Sequence, residues 1–149
     1  MTRNTVLLVE DNPTDVFIIQ RTFKKLKADI SIEVASDGDE AVAYLSGNGK
    51  YADREQFPLP ALILLDLKLP RRSGFEVLDW LKQQPLLARL PVVVLTSSRQ
   101  SLDINRAYDC GANSYLVKTV NPGETEELGK IIQRYWLNIN QQPEVAQSA

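Results

Sequence analysis

Four places along this chain carry side chains that could do chemistry: the acid pair Glu10-Asp11, the carboxylate Asp66, the hydroxyl Thr96 and the ammonium Lys118. Each follows a short apolar run: TVLLV before Glu10, ALILL before Asp66, PVVVL before Thr96 and SYLV before Lys118. A carboxylate at the end of a buried strand can act as a nucleophile or ligate a metal. Each residue also has an ordinary reading. An aspartate after a strand caps a helix or enters a turn, a threonine caps a helix, and a lysine is solvated surface. The weight therefore falls on whether the elements bring the four together.

The elements follow from patterning. Thr5 to Val9 is a short apolar run ending in acid, and Asn12, Pro13 and Asp15 then supply an N-cap, a first-turn proline and a first-turn acid. Val16, Ile19, Phe23 and Leu26 recur on one helical face. Ile30 to Ala35 alternates apolar with polar, as a half-exposed edge strand does. A second helix starts at Asp37, Gly38 and Glu40 and stops at Gly47, and Ser46 to Pro60 is a long polar connection read as an insertion with its own role. The continuous run into Asp66 predicts a strand buried on both faces. Ser73 and Glu76 form a capping-box pattern for a third helix ending before Pro85, and Pro91 to Leu95 is another buried strand. A helix near Gln100 to Asp109 ends at Gly111, and Ser114 to Val117 is a fifth strand. The last helix begins at Asn121 and Pro122, and Tyr135, Trp136 and Leu137 widen its apolar face beyond one stripe. Five strand-helix units predict an α/β fold with a parallel sheet and right-handed crossovers. We read residues 1–149 as a single domain with a core of about 5–137 and a flexible tail over 138–149.

Composition narrows the function classes. The 149 residues suffice to bury roughly two-thirds of the unfolded surface. With 17 basic and 19 acidic residues intermixed and a net charge of -2, there is no basic field for nucleic acid. The single cysteine, Cys110, excludes an internal disulfide, and with no histidine a zinc site or a His-based triad is excluded. No signal peptide is present and no apolar run approaches the roughly 20 residues of a membrane span, so the expectation is a soluble, cytoplasmic protein without a membrane partner.

If the parallel sheet has the order 2-1-3-4-5, strands one and three flank the topological switch point, and Glu10, Asp11 and Asp66 would converge in one crevice. Three acids repel unless a cation sits among them, and oxygen ligands without histidine or cysteine suit Mg²⁺ or Mn²⁺. A lysine and a hydroxyl opposite such an ion point to phosphoryl chemistry. The acid pair after VLLV, Asp66 followed by Pro70 and Gly74, Thr96-Ser97 after VVVL, and Tyr115 three residues before Lys118 together resemble the receiver domain of two-component response regulators. The resemblance covers about residues 5 to 137.

That resemblance implies a flavodoxin-like fold with five parallel strands in order 2-1-3-4-5 and five flanking helices. It implies that Asp66 accepts a phosphoryl group from a histidine kinase. Asp11, Asp66 and the backbone carbonyl of Lys68 would hold Mg²⁺, with Glu10 reaching it mainly through water. Lys118 would balance phosphoryl charge, and Thr96 and Tyr115 would form a switch acting on the fourth helix, fifth strand and fifth helix. The family commonly has Asp where Glu10 stands, and follows its lysine with a cis proline where this chain has Thr119. No output domain follows the last helix, so a stand-alone receiver is expected. The long 46–60 connection, the LDLKLPR segment and the extended last helix are similar to cyanobacterial phytochrome-associated response regulators, which implies a phytochrome-type kinase as partner. Apolar surface at Tyr135, Trp136 and Leu137 predicts a homodimer through the fourth-helix, fifth-strand and fifth-helix face. Such a protein is a signalling phosphoacceptor that modifies only itself, and not an enzyme with outside substrates. Two other classes compete: a Mg²⁺-dependent phosphohydrolase, disfavoured because Lys68 stands where such enzymes have a second aspartate, and a receiver-like binding module independent of phosphorylation.

Overall fold

A computed structural model describes residues 3–26 and 29–145. Five strands form one parallel sheet: β1 (Thr5–Val9), β2 (Ser31–Ala35), β3 (Leu62–Leu65), β4 (Val92–Thr96) and β5 (Ser114–Val117). Their spatial order is β2-β1-β3-β4-β5, as expected. The connecting helices are α1 (Pro13–Lys25), α2 (Gly38–Ser46), α3 (Gly74–Lys82), α4 (Ser101–Asp109) and α5 (Pro122–Ile132). Side-chain alternation divides the core between the two faces of the sheet. Leu7, Val9, Ile63, Leu65, Val92 and Val94 pack with α2 and α3, while Val6, Leu8, Leu62, Leu64, Val93 and Leu95 pack with Ile19, Phe23 and Ile132. This two-sided burial explains why the central strands read as unbroken apolar runs. β2 is the edge strand that its alternation predicted, with Ser31 exposed and Ala35 buried.

Local chemistry starts the helices where their caps predicted. Asn12 Oδ1 accepts from the Thr14 and Asp15 amides, Asp37 caps α2 through the Glu40 amide, and Ser73 with Glu76 closes a capping box on α3. The chain beyond α5 departs from expectation. Gln133–Ile139 continues as a π-helix. Its wider turn lets both Trp136 and Leu137 pack on the core, leaving Tyr135 outside against the Trp136 ring at 4.9 Å. Tyr135 is thus the most exposed of that trio, with Trp136 and Leu137 half-buried.

Residues 140–145, expected to belong to a flexible tail, are instead fastened. Gln142 Oε1 accepts from the Arg3 amide at 2.8 Å, and Gln142 Nε2 donates to the Arg3 carbonyl at 2.8 Å. Arg89 donates to the Glu144 carbonyl, and Val145 is 5 % exposed within the core cluster. Side-chain bonds to backbone groups and one apolar anchor outweigh the ordering entropy that the sequence pattern suggested would win. Residues 146–149 of that tail lie outside the described residues.

The 46–60 connection is a small packed unit. Tyr44, Tyr51 and Phe57 stack mutually with ring centroids 5.0 to 6.0 Å apart. Tyr44 donates to the Pro58 carbonyl and Tyr51 to Glu40. Arg54 lies across the carboxyl end of α2, donating to the carbonyls of Tyr44 at 2.7 Å, Leu45 at 2.9 Å and Phe57 at 3.2 Å. A planar fork of donors matches these acceptors as a single ammonium would not. Arg54→Ala is expected to lower unfolding free energy by about 2 to 4 kcal/mol, read from urea denaturation, and Arg54→Lys to recover less than half of that loss. A variant as stable as wild type would show that the loop does not depend on this residue.

Candidate functional site

The carboxyl edge of the sheet gathers the predicted residues. Glu10 follows β1, with its amide bonded to the Ala35 carbonyl, and Asp66 follows β3, with its amide bonded to the Val9 carbonyl at 3.0 Å. The first bond ties β1 to β2 and the second ties β3 to β1, so β1 and β3 lie side by side at the switch point. Carboxylate oxygens of Glu10, Asp11 and Asp66 consequently lie within 4.8 Å of one another. Glu10 is 2 % and Asp66 8 % exposed, whereas Asp11 faces solvent.

Opposite the acids stands Lys118, delivered by β5. Its amide donates to the Thr96 carbonyl at 2.8 Å, which ties the ends of β4 and β5 together. Its Nζ donates to Glu10 Oε1 at 2.5 Å, Asp15 Oδ2 at 2.8 Å and Asp66 Oδ2 at 3.0 Å. Burial alone would lower the lysine's pKa, but the bonds from Asp15, Glu10 and Asp66 outweigh it and hold Lys118 above its ordinary value. Burial, reinforced by the nearby charge of Asp66, pushes the Glu10 carboxyl up to about 7 against the pull of Lys118. One ammonium thus serves three carboxylates, and burial makes the deepest of them, Glu10, the most readily protonated.

The loop after β3 is held tightly. Asp66 Oδ1 accepts from the Leu67 amide at 2.7 Å and more weakly from the Lys68 amide at 3.4 Å. Lys68 itself is exposed, so its side chain stays outside the acid cluster while its backbone borders Asp66. The Gly74 amide returns to the Leu67 carbonyl at 2.9 Å, and a Cβ on Gly74 would fall 2.3 Å from the Asp66 carbonyl oxygen. Any larger residue there would displace the backbone that aims Asp66. Gly38 plays the same part at the start of α2, where a Cβ would meet the Arg72 carbonyl oxygen at 1.9 Å. Arg71 and Arg72 reach Asp37 and Asp39 at 3.3 and 3.2 Å, so the loop rests on the α2 N-terminus.

Thr96 is 1 % exposed, and its hydroxyl is buried without a hydrogen-bond partner. A buried unpaired hydroxyl costs about 1 to 3 kcal/mol, so such a group calls for an acceptor. Tyr115, half-buried on β5, donates its hydroxyl to the Ser98 carbonyl at 2.9 Å, and Ser98 in turn donates to Asp103 at 2.6 Å. The Lys118-Thr119 peptide is trans, unlike the cis lysine-proline bond of the family pattern.

Asp15 is the site residue that sequence reasoning placed elsewhere, as a first-turn acid of α1. The available signal was its position four residues after Asp11, one helical turn beyond the carboxyl edge of β1. The donor set fits a divalent cation that prefers oxygen: three converging carboxylates with neither thiolate nor imidazole.

The family profile described as "Response regulator receiver domain" matches residues 6–130. Response regulator Rcp1 of Synechocystis sp. is 40% identical over 132 residues, covering 89% of this chain and 88% of its own length. The probable methanogenesis regulatory protein FilR2 of Methanothrix harundinacea is 39% identical over 141 residues, covering 93% of this chain and 86% of its own. Among solved structures, the Mn(2+)-bound form of response regulator Rcp1 aligns with a TM-score of 0.83 and 38% identity over 94% of this chain and 99% of that one. The phosphorylated cyanobacterial phytochrome response regulator RcpA aligns with a TM-score of 0.88 and 38% identity over 96% of this chain and all, 100%, of that one. Among the described residues no helix is long and apolar enough to cross a membrane. Strand order, the convergence of acids on one lysine and these likenesses agree, and the chain belongs to the response regulator receiver domain family.

Proposed function

We propose that this receiver accepts a phosphoryl group on Asp66 and converts the event into a change of protein-binding surface. The observation that carries the reading is the buried Thr96 hydroxyl without a partner, at the same sheet edge as the Asp66-Lys118 pair. A merely structural acid-lysine cluster has no use for an orphaned hydroxyl, whereas an arriving phosphoryl oxygen would accept from it. In the transfer, an Asp66 carboxylate oxygen attacks phosphorus and the P–N bond of the donor phosphohistidine breaks. The electron pair leaves with the imidazole, and Asp66 becomes an acyl phosphate. Asp11, Asp66 and the Lys68 carbonyl would hold Mg²⁺, with Glu10 reaching it mainly through water, and the ion would offset the charge gathered there.

The chain's own residues do the rest. The Leu67 amide fixes one Asp66 oxygen, Lys118 supplies positive charge to the phosphoryl oxygens, and Glu10 keeps Lys118 from swinging out of the crevice. As Thr96 turns toward the phosphoryl group, Tyr115 gives up its bond to the Ser98 carbonyl and moves toward the vacated space. The β4-α4 loop then relaxes, and the face made by α4, β5 and α5 changes. The hydrolase alternative loses ground because Lys68, at the position of a second catalytic acid, points to solvent.

The likeness to RcpA, described as a cyanobacterial phytochrome response regulator, supports a phytochrome-type histidine kinase as the phosphodonor. A cytoplasmic location follows from that partnership. Leu102 and Tyr108 on α4 and Ile131, Tyr135 and Ile139 along α5 and its extension are exposed, which supports a homodimer through this face. The dimer replaces the Trp136 and Leu137 surface inferred from sequence with Ile131 and Ile139, whose side chains are free.

With Mg²⁺ and a small phosphodonor, wild type should incorporate label, whereas Asp66→Asn, or wild type with excess chelator, should not. Equal labelling of wild type and Asp66→Asn, or labelling of neither, would sink the phosphoacceptor reading. For the assembly, sedimentation at tens of micromolar should give a dimer, and Tyr135→Glu a monomer; a monomeric wild type, with or without an acyl-phosphate mimic, would refute it.

A further inference from the structure

We propose that Asp15 is a positioning residue: it holds Lys118 while Asp66 is unmodified and is the partner that Lys118 releases when a phosphoryl group arrives. The inference rests on the reading of Asp66 as phosphoacceptor and adds a competitor built into the first turn of α1.

A lysine ammonium has three N–H donors and no acceptor. All three are engaged here, by Glu10, Asp15 and Asp66. Transfer to Asp66 breaks the donor's bond to phosphorus, leaves its electron pair with the departing group and joins phosphorus to an Asp66 oxygen. The product presents new anionic oxygens beside a cation that has no donor to spare. Lys118 must therefore let one carboxylate go.

The three partners differ in what release would cost. Asp66 carries the group and stays. Glu10 has a side chain only 2 % exposed, and its other oxygen is engaged by the Asn12 amide, so freeing it would leave a buried carboxyl without its cation and without water to replace it. Asp15 has a side chain 32 % exposed. Water can take over its hydrogen bonds, and the N-terminal end of α1 favours its negative charge. Its separation is the least costly of the three. Asp15 thus competes with the phosphoryl group for one donor of Lys118, and it also links the start of α1 to the end of β5 only in the unmodified state.

The role predicts a particular asymmetry. Removing Asp15 frees a donor before the phosphoryl group arrives, so formation of the modified state becomes easier, while the modified state itself no longer involves Asp15. The test uses the full chain with Mg²⁺ and fluoroberyllate as the phosphoryl mimic. Asp15→Asn and Asp15→Ala should each bind fluoroberyllate about three- to tenfold more tightly. Labelling by acetyl phosphate, in which the P–O bond to acetate breaks, should accelerate by a similar factor. Loss of the phosphoryl group should stay within about twofold of wild type, since that step starts after release. The gain should persist in 0.5 M salt, which screens a general field effect but not exchange of a contact.

A spectroscopic readout separates positioning from mere stability. Hydrogen exchange at the ¹⁵N-labelled Lys118 ammonium should be faster in Asp15→Asn than in wild type without the mimic, and equal in the two with it. Unchanged or weaker fluoroberyllate binding in both variants, or a gain that vanishes at high salt, overturns the assignment while the phosphoacceptor reading stands. A wild-type protein that takes neither fluoroberyllate nor label overturns that reading and the role of Asp15 with it.

Discussion

The sharing of one ammonium among three carboxylates is the interaction on which the rest of the site depends. Glu10, Asp15 and Asp66 come from the end of β1, the start of α1 and the end of β3, and only Lys118 from β5 holds them at hydrogen-bond distance. Without that cation, acids packed against a low-dielectric sheet edge would repel strongly enough to open the crevice. With it, the cluster still carries excess negative charge, and the rise of the Glu10 carboxyl to about 7 reflects that residue's burial within it. An electrostatically unfinished site of this kind is poised to take up positive charge beside the acids.

Rigid backbone makes the arrangement possible. The ladder bonds from β1 to β3 set the Glu10 and Asp66 carboxylates against each other, and the close approaches at Gly74 and Gly38 let α3 and α2 clamp the loop that carries Asp66. Charge is concentrated at this edge, while both faces of the sheet are filled by apolar side chains in regular alternation. The opposite edge is closed by the segment 140–145, whose Gln142 pairs with Arg3 and whose Val145 enters the core. One end of the sheet is thus fastened by its own chain, and the other stays open to solvent at Asp11 and Lys68.

Much of this architecture was legible in the residues. Buried runs and cap residues placed the five strands, and Asn12, Asp37, Ser73 and Asn121 cap helices where their types and neighbours said they would. Glu10, Asp66, Thr96 and Lys118 share one edge because each ends a parallel strand, which local pattern supplies, and they converge because of the strand order, which the family resemblance supplied. Less legible were features that depend on where distant segments meet. The 46–60 connection read as a long polar insertion whose packing the residues did not show, since its order comes from Arg54 meeting α2 carbonyls and from three rings that pack only in the folded chain. Trp136 and Leu137 looked exposed under α-helical spacing, and a π turn carried both inward.

Sequence alone determined the fold class, the acid pair, the aspartate after β3 and the lysine, because strand ends and helix caps are set by residues within a few positions of one another. Tertiary structure alone decided which partners the lysine holds, that Thr96 is left without a hydrogen bond, and that Asp15 belongs to the site. Those are outcomes of distances between elements as much as 103 residues apart in the chain, which no local pattern encodes.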